Sequence, residues 1–303
     1  MSIPDFETVM LPVMKLSYDK NEHTVMETIE ELSKQFKLTE AEKSELLPSG
    51  TQYRFDNRVH WAITYLSKAG LVERTGRGVY KITESGINAV NEKPEKIDKE
   101  YLSKYEGYKE FRKRKTTAVP GGPEIDEIET TQTPDEAIES AYQRLRINLA
   151  QEILEKVRKV DPKFFETLVV DLLLAMGYGG SRSDAGQTVG KTGDGGIDGV
   201  INQDKLGLDV VYIQAKRWDG HNVGGQDLRA FVGALSGRKA NKGVFITTAA
   251  FTPEAKSYVN NVQQKIVLID GDQLAQFMID HGIGVTTSRT YDVKRIDNDY
   301  FES

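Results

Sequence analysis

The sequence predicts a two-domain protein that has helices and a β-hairpin in its N-terminal part and an α/β domain in its C-terminal part. Three observations support this prediction. The chain has 303 residues, which is enough for two domains that each bury a core. Helical periodicity over residues 1–91 ends in a hairpin pattern. After residue 136, continuous apolar strands alternate with amphipathic helices.

The N-terminal domain, residues 1–91, contains three segments with helical periodicity, at 6–17, 25–36 and 54–69. The third segment repeats its apolar residues at the spacing of one helix face, on Phe55, Val59, Ala62, Leu66 and Ala69. Residues 71–83 then form a predicted hairpin around the turn Thr75-Gly76-Arg77-Gly78. Three helices followed by a hairpin is the layout of a winged helix-turn-helix domain.

Basic residues concentrate on the third helix and the hairpin. Residues 54–83 hold six basic side chains and two acidic ones. The candidates for DNA contacts lie opposite the apolar stripe or beside the hairpin turn, and they are Arg54, Asn57, Arg58, Lys68, Arg74 and Arg77. A helix that reads the major groove, with a basic wing on the phosphates, needs this distribution. The alternative is a winged-helix module that binds another protein and has these charges solvated.

The acidity of the chain comes from one segment between the domains. The net charge is −6, whereas residues 1–91 and 137–303 carry only −2 and −1. Residues 92–115 carry +3, and residues 116–136 carry −6 together with three of the nine prolines. The sequence therefore predicts a flexible linker over residues 92–136, basic and then acidic. Because both domains are near neutral, the low net charge does not argue against a nucleic-acid partner.

The composition excludes several classes of protein. The chain has no cysteine, which excludes disulfide scaffolds, thiolate metal sites and thiol nucleophiles. The longest apolar run, at residues 168–176, is interrupted by Asp171 and is too short to span a bilayer. Residues 1–20 lack the continuous apolar core of a signal peptide. We expect a cytoplasmic protein without a membrane partner.

The C-terminal domain, residues 137–303, is predicted to be α/β. Helices are expected at 135–159, 162–176, 226–235, 253–262 and 272–281. Strands are expected at 196–202, 209–217, 243–248 and 265–270. Apolar strands that are separated by helices indicate a sheet whose later strands run parallel.

The glycine-rich stretch at residues 185–192, Ala-Gly-Gln-Thr-Val-Gly-Lys-Thr, matches a relaxed phosphate-binding loop. An ATP-driven enzyme that uses Gly190-Lys191-Thr192 is the function this match would imply. Such a loop needs a buried strand before it and a helix after it. Residues 179–184 are too polar for a core strand, and residues 193–196 contain three glycines that cannot begin a helix. We therefore expect no nucleotide cofactor.

A group of polar residues in the C-terminal domain predicts a metal site. Asp198 begins one strand, and Gln214 and Lys216 share one face of the next. A turn near residues 204–207 places Asp198 opposite Gln214 on the neighbouring strand, to within one or two residues of register. Glu166 on the preceding helix can supply a second carboxylate. Two carboxylates and an amide with a lysine beside them describe a site for Mg²⁺, which prefers oxygen ligands. The lysine can orient an attacking water or stabilise charge on a phosphate, which predicts a metal-dependent nuclease.

Six segments together carry a resemblance to a known family. They are Phe165-Glu166, Gly195-Gly196-Ile197-Asp198-Gly199, Gln214-Ala215-Lys216-Arg217, Phe231-Val232-Gly233-Ala234-Leu235, Gly243-Val244-Phe245-Ile246-Thr247-Thr248 and Leu268-Ile269-Asp270-Gly271. These segments resemble the Mrr-type restriction endonucleases of the PD-(D/E)xK nuclease superfamily. The resemblance extends over nearly the whole chain, because such proteins also carry an N-terminal winged helix. It implies a restriction-endonuclease-like α/β/α core with a mixed sheet.

The resemblance also implies roles for individual residues. Asp198 becomes the chief metal ligand, Lys216 the catalytic lysine and Glu166 a carboxylate supplied by a helix. Gln214 stands where most of the superfamily has Glu or Asp, a departure that is similar to the Mrr subgroup. The glutamine removes one negative charge, so it weakens metal affinity or leaves coordination to the main-chain carbonyl of Ala215.

The activity implied by the resemblance is type IV restriction, the Mg²⁺-dependent cleavage of double-stranded DNA that carries methylated bases. Cutting both strands with one site per chain favours a homo-oligomer. An alternative is a DNA-binding regulator whose nuclease fold is inactive, with Gln214 as a relic. The linker suggests a further hypothesis, in which its acidic run imitates DNA on the basic wing and inhibits the protein.

Overall fold

The computed structural model describes residues 2–117, 131–179, 197–204, 208–297 and 300. The chain forms two compact units. The N-terminal unit comprises residues 1–143 and 294–303, and the C-terminal unit comprises residues 144–293.

The N-terminal unit has seven helices before residue 118 and a three-stranded antiparallel sheet. Its helices are α1 (Phe6–Leu16), α2 (Val25–Gln35), α3 (Glu40–Lys43), α4 (Arg54–Lys68), α5 (Glu84–Asn91), α6 (Lys99–Leu102) and α7 (Glu106–Thr117), with a 3-10 turn at Ser17–Asp19. Its strands are β1 (His23–Thr24), β2 (Val72–Gly76) and β3 (Val79–Ile82), in the order β1-β3-β2. The predicted helices and hairpin of this region are confirmed.

Local sequence explains these elements. Thr24 and Glu27 form a capping box that begins α2, and Asp5 caps α1 by accepting a hydrogen bond from the Thr8 amide. The apolar stripe of α4 is buried in one core with α1 and the hairpin. Gly78 has a φ of +68°, the left-handed conformation that lets the chain reverse between β2 and β3.

Residues 92–117 differ from the expected linker, because they fold onto the N-terminal core. Ile97, Leu102 and Tyr108 are fully buried there, and Tyr108 packs 6.0 Å from the Tyr65 ring. The many charges of this segment suggested solvation, but tyrosines and phenylalanine at helical spacing among them form an apolar face. Residues 118–130, which hold most of the predicted acidic run, lie outside the described residues.

The C-terminal unit is built around a four-stranded mixed sheet. Its strands are β4 (Gly199–Asn202), β5 (Val210–Lys216), β6 (Lys242–Thr247) and β7 (Lys265–Ile269), in the order β4-β5-β6-β7. Among the described residues, the helices that follow α7 are α8 (Pro134–Lys159), α9 (Pro162–Ala175), α10 (Gly225–Gly237), α11 (Pro253–Val259) and α12 (Gly271–Asp280). β4 pairs antiparallel with β5, whereas β5, β6 and β7 run parallel.

Helices cover both faces of this sheet. On one face α9, α12 and the later part of α8 pack against side chains such as Val244 and Ile246. On the other face α10 and α11 pack around Phe245, whose ring meets Phe231 edge-on at 5.6 Å. The predicted α/β/α arrangement with a mixed sheet is confirmed. Within the described part of the chain, no helix is both long enough and apolar enough to cross a membrane.

Gly271 and Gly233 give a matched test of this packing. A Cβ at Gly271 would lie 2.6 Å from the carbonyl oxygen of Thr248, whereas a Cβ at Gly233 would meet nothing within 4 Å. We expect Gly271→Ala to lower the free energy of unfolding by about 1–3 kcal/mol. Gly233→Ala lies in an exposed helical position, so it should raise that free energy by about 0.5–1 kcal/mol. Urea unfolding of both variants measures this, and equal stability would contradict the close approach at Gly271.

Candidate active site

The pairing of β4 with β5 positions Asp198. Gly199 lies opposite Ile213, and the amide of Asp198 donates to the Ile213 carbonyl at 2.9 Å. The Asp198 carboxylate turns toward β5, where its Oδ2 accepts a hydrogen bond from the Ala215 amide at 2.7 Å. The expectation that Asp198 lies within one or two residues of Gln214 across the hairpin is confirmed.

Gln214 is a polar side chain in the middle of an apolar sheet. Its side chain is 6% exposed, and its Oε1 atom has no hydrogen-bond partner among the described residues. A buried amide oxygen without a partner is costly, because it has lost its hydrogen bonds to water. Such an oxygen is a suitable ligand for a hard cation, since magnesium prefers oxygen donors.

Lys216 ends β5 and is held by two neighbouring side chains. Its Nζ lies 3.1 Å from Oδ1 of Asp227 and 5.1 Å from the centre of the Trp218 ring. Its main-chain carbonyl accepts a hydrogen bond from the Thr247 hydroxyl at 2.8 Å. The ammonium therefore has a defined position at the carboxyl end of the strand.

The charge of Asp198 acts on Glu166 of α9. Burial raises the pKa of the Glu166 carboxyl above its ordinary value, and the negative charge of Asp198 raises that pKa further. Burial also raises the pKa of Asp198, although the hydrogen bond from Ala215 and the positive charge of Lys216 oppose this rise. Two partly desolvated carboxylates close to one another would be stabilised by a cation between them.

The donor set at this place consists of oxygen atoms. No group of three or more His, Asp and Glu side chains forms a metal cluster among the residues described. The site offers instead the carboxylates of Glu166 and Asp198, the amide oxygen of Gln214 and the neighbouring carbonyl of Ala215. This set fits a divalent cation that keeps several of its own waters, as magnesium does.

Asp227 belongs to the candidate site through its contact with Lys216, and the sequence alone did not single it out. It lies in the first turn of α10, where its Oδ2 accepts from the Gly224 amide at 3.2 Å while its Oδ1 pairs with Lys216. The spacing from Gly224 to Asp227 is typical of a helix N-terminus, and that explanation is sufficient from sequence. The contact with Lys216 depends on how α10 packs beside β5, which no local pattern encodes.

Asn57, predicted to contact DNA, is nearly inaccessible in this structure. It is 1% exposed, and its Nδ2 donates to Gln52 at 3.0 Å and to Asp135 at 2.7 Å. Its Oδ1 accepts from the hydroxyl of Thr133 at 2.6 Å. The amide therefore has partners on both its oxygen and its nitrogen, and two of the three lie just before or within the first turn of α8.

Arg58 and Arg54 also meet acidic partners. Arg58 donates through Nε to Glu136 at 2.9 Å and through Nη1 to the carbonyl of Ile3 at 2.7 Å. Arg54 lies 2.7 Å from Glu45 and 3.7 Å from Glu136. The structure thus brings Arg54, Asn57 and Arg58 together on α4, beneath the acidic start of α8.

The other three candidates for DNA contacts are exposed. Lys68 at the end of α4 lies 5.7 Å from the centre of the Phe111 ring. Arg74 on β2 donates to the Thr64 hydroxyl at 2.9 Å, and Arg77 lies at the hairpin turn. These residues keep a basic wing accessible beside α4.

Comparison with known proteins identifies the family. Residues 157–278 match the family described as restriction endonuclease, and residues 6–92 match the Mrr N-terminal domain. The chain is 37% identical over 309 aligned positions to the type IV methyl-directed restriction enzyme EcoKMrr of Escherichia coli strain K12, with both chains covered in full. The chain belongs to the Mrr family of restriction endonucleases. The resemblance predicted from sequence, and with it a restriction endonuclease, is confirmed.

A solved structure also matches part of this Mrr-family chain. It is the MspJI restriction endonuclease in complex with a 27-mer oligonucleotide, with 23% identity and a TM-score of 0.32. The match covers 54% of this chain and 34% of that one. The glycine-rich residues 185–192, which gave the ATP alternative, lie outside the described residues.

The raised pKa of Asp198 gives a test based on stability. A pKa that is higher in the folded state means that the charged carboxylate destabilises the fold at neutral pH, and that this cost disappears as the pH falls through the folded and unfolded pKa values. Asp198→Asn mimics the protonated form, so with EDTA present it should be more stable than the parent at pH 7. The difference should vanish in acid.

Urea unfolding at pH 7 and in acid measures this difference. Asp219→Asn is the control, because Asp219 is exposed and its substitution should leave stability within about 0.5 kcal/mol. A less stable Asp198→Asn variant at pH 7 would show that the carboxylate stabilises the fold instead of straining it.

The Lys216–Asp227 pair gives a kinetic test. Asp227→Asn keeps an oxygen that can accept from Gly224 but removes the charge opposite Lys216. We expect kcat for DNA cleavage to fall about tenfold to a hundredfold, with KM and the melting temperature nearly unchanged, because a displaced ammonium affects the transition state. Asp227→Glu should restore part of the rate.

A double-mutant cycle decides whether Asp227 acts through the lysine. In the background of Lys216→Gln, the additional substitution Asp227→Asn should cause no further loss of rate. An equal loss in both backgrounds would mean that Asp227 affects cleavage by another route.

Proposed function

We propose that this protein is a Mg²⁺-dependent type IV endonuclease that hydrolyses phosphodiester bonds in methylated double-stranded DNA, in the cytoplasm. The observation that supports this most is the convergence of Asp198, Gln214 and Lys216 at the ends of two paired strands, with the Gln214 oxygen buried and unpartnered among the described residues. Buried polar groups that do not stabilise a fold are typical of sites that bind and react.

Asp198, Glu166 and the carbonyl of Ala215 would hold the cation, with the Gln214 amide oxygen beside them. A divalent cation held there would supply Lewis-acid stabilisation of charge on the phosphate and a water of lowered pKa. The raised pKa values of both carboxyls favour this assignment, because burial and, for Glu166, the charge of Asp198 disfavour the ionised forms, and a cation would stabilise those forms.

Lys216 would act on the reacting phosphate. Its ammonium can orient the attacking water and stabilise the extra negative charge that develops on the phosphate oxygens. Asp227 and Trp218 restrict the lysine to one position, so little reorganisation is needed when DNA arrives.

The N-terminal unit would supply the contacts to DNA. Lys68, Arg74 and Arg77 would contact phosphates, whereas Arg54, Asn57 and Arg58 on α4 would face the major groove. The preference for methylated DNA rests on the designation of the Escherichia coli relative as methyl-directed. We further propose a homo-oligomer, since cutting both strands of a duplex takes two sites.

Plasmid cleavage tests the proposal. Wild-type protein with Mg²⁺ should nick and linearise methylated plasmid but leave unmethylated plasmid intact. Asp198→Ala and Lys216→Ala should each reduce cleavage at least about a hundredfold while they retain DNA binding. Equal cleavage by wild type and Lys216→Ala would contradict the assigned chemistry.

A second candidate function is a DNA-binding regulator with an inactive nuclease fold. The observation in its favour is the neutral Gln214 at a position where most related nucleases carry an acid. Binding of methylated plasmid without cleavage, at any Mg²⁺ concentration, would support it. Gln214→Glu would then be the informative variant, because a gain of cleavage would show that only the missing charge prevents catalysis.

A further inference from the structure

A short acidic segment covers the face of α4 that is proposed to read DNA. We call residues 133–136 the acidic turn; they lie just before and within the first turn of α8. Asp135 accepts hydrogen bonds from Asn57 at 2.7 Å and from the indole N–H of Trp61 at 3.0 Å. Thr133 adds a hydrogen bond to Asn57 at 2.6 Å. All of these residues belong to the N-terminal unit.

Glu136 makes the most buried of these contacts. Its side chain is 3% exposed, and its Oε1 accepts from both Nε and Nη2 of Arg58 at 2.9 Å. Its other oxygen accepts from the Thr133 amide at 3.0 Å, which completes a capping box for α8. Both oxygens of this carboxylate are therefore bound, and Arg58 is only 13% exposed.

The position of Asn57 shows what the acidic turn blocks. Asn57 lies on the side of α4 opposite Phe55, Val59 and Leu66, which enter the core. In a winged helix-turn-helix domain this outward side enters the major groove. While the acidic turn is bound, Asn57 is 1% exposed and cannot reach a base.

The contact between α4 and the acidic turn pairs the same kinds of donors and acceptors that a complex with DNA would pair. The guanidinium of Arg58, the amide of Asn57 and the indole of Trp61 are all donors, and the acidic turn presents carboxylate oxygens to them. Phosphate oxygens and base acceptors would use the same donors. A buried ion pair of this kind adds little net stability compared with apolar packing, so stability alone does not account for it.

We propose that the acidic turn is an internal competitor of DNA, which occupies the donors of α4 until a duplex displaces it. This inference rests on the proposed DNA-binding role of α4. It differs from inhibition through the wing, because the carboxylates of the acidic turn bind side chains of α4. When DNA displaces the acidic turn, acceptors of DNA replace the carboxylate oxygens on the donors of α4. This exchange needs no change in the core beneath α4.

The test is the affinity for a labelled duplex, measured by fluorescence anisotropy in EDTA at fixed ionic strength. The variant Asp135→Asn/Glu136→Gln keeps an acceptor oxygen at each position but removes both charges. We expect it to bind DNA at least tenfold more tightly than the wild type. Asp126→Asn/Glu127→Gln removes the same charge from the neighbouring segment and should change affinity less than threefold.

Two results of this comparison overturn the proposal. Unchanged or weaker binding by the Asp135→Asn/Glu136→Gln variant, with an unchanged melting temperature, would show that the turn does not compete. Equal gains in both variants would show a general effect of charge. If no form of the protein binds DNA, the DNA-binding role of α4 fails, and the competitor role falls with it.

A spectroscopic experiment follows the turn directly, and it stays informative if the double variant folds poorly. The chain has two tryptophans, so Trp218→Phe leaves Trp61 as the only indole. A saturating concentration of DNA duplex in EDTA should shift the fluorescence emission of Trp61, because the indole N–H loses its hydrogen bond to Asp135. Bound DNA with unchanged Trp61 emission would mean that the acidic turn stays in place, which contradicts the proposal.

Discussion

The candidate active site of the C-terminal unit depends on the antiparallel pairing of β4 with β5. This pairing alone brings Asp198, which precedes β4, to the end of β5 where Lys216 lies. The hydrogen bond from the Ala215 amide fixes the carboxylate once the strands are in register. A shift by one residue would turn Gln214 and Lys216 to the opposite face, because side chains alternate along a strand.

The remainder of the sheet supports that register. β5, β6 and β7 are parallel, and helices pack on both faces of the sheet, so the apolar side chains of the inner strands β5 and β6 favour one arrangement that buries most of them, whereas β7 at the edge stays partly exposed. Polar groups collect where the strands end and the helices begin, at the carboxyl edge that suits ligand binding in such sheets. Thr247 and Thr248 tie this edge together through hydrogen bonds to Lys216 and Trp218.

Much of this arrangement could be predicted from the sequence, because local apolar patterns determine the helices and strands. Contacts between elements have no such local pattern. Helices and strands with regular apolar spacing were predicted within a few residues, as was the approach of Asp198 to Gln214. The fold of residues 92–117 was missed because its charges outnumber its aromatic side chains, although the aromatics decide the packing. The contact of Glu136 with Arg58 joins elements distant in the chain, and the contact of Asp227 with Lys216 depends on how α10 packs beside β5. Each acid also has an ordinary explanation as a helix cap.

The neutral Gln214 also has a consequence for how charge balances around the reacting bond. Glu166, Asp198, Asp227 and Lys216 together carry a formal charge of −2, and a phosphodiester brings one more negative charge to the same place. Without a metal, these four side chains would therefore repel the phosphodiester, whereas a divalent ion bound among them would make their summed charge zero. With an acid at position 214, the site would remain negative even when occupied. With glutamine at position 214, one divalent cation would therefore suffice to cancel the charge that repels DNA.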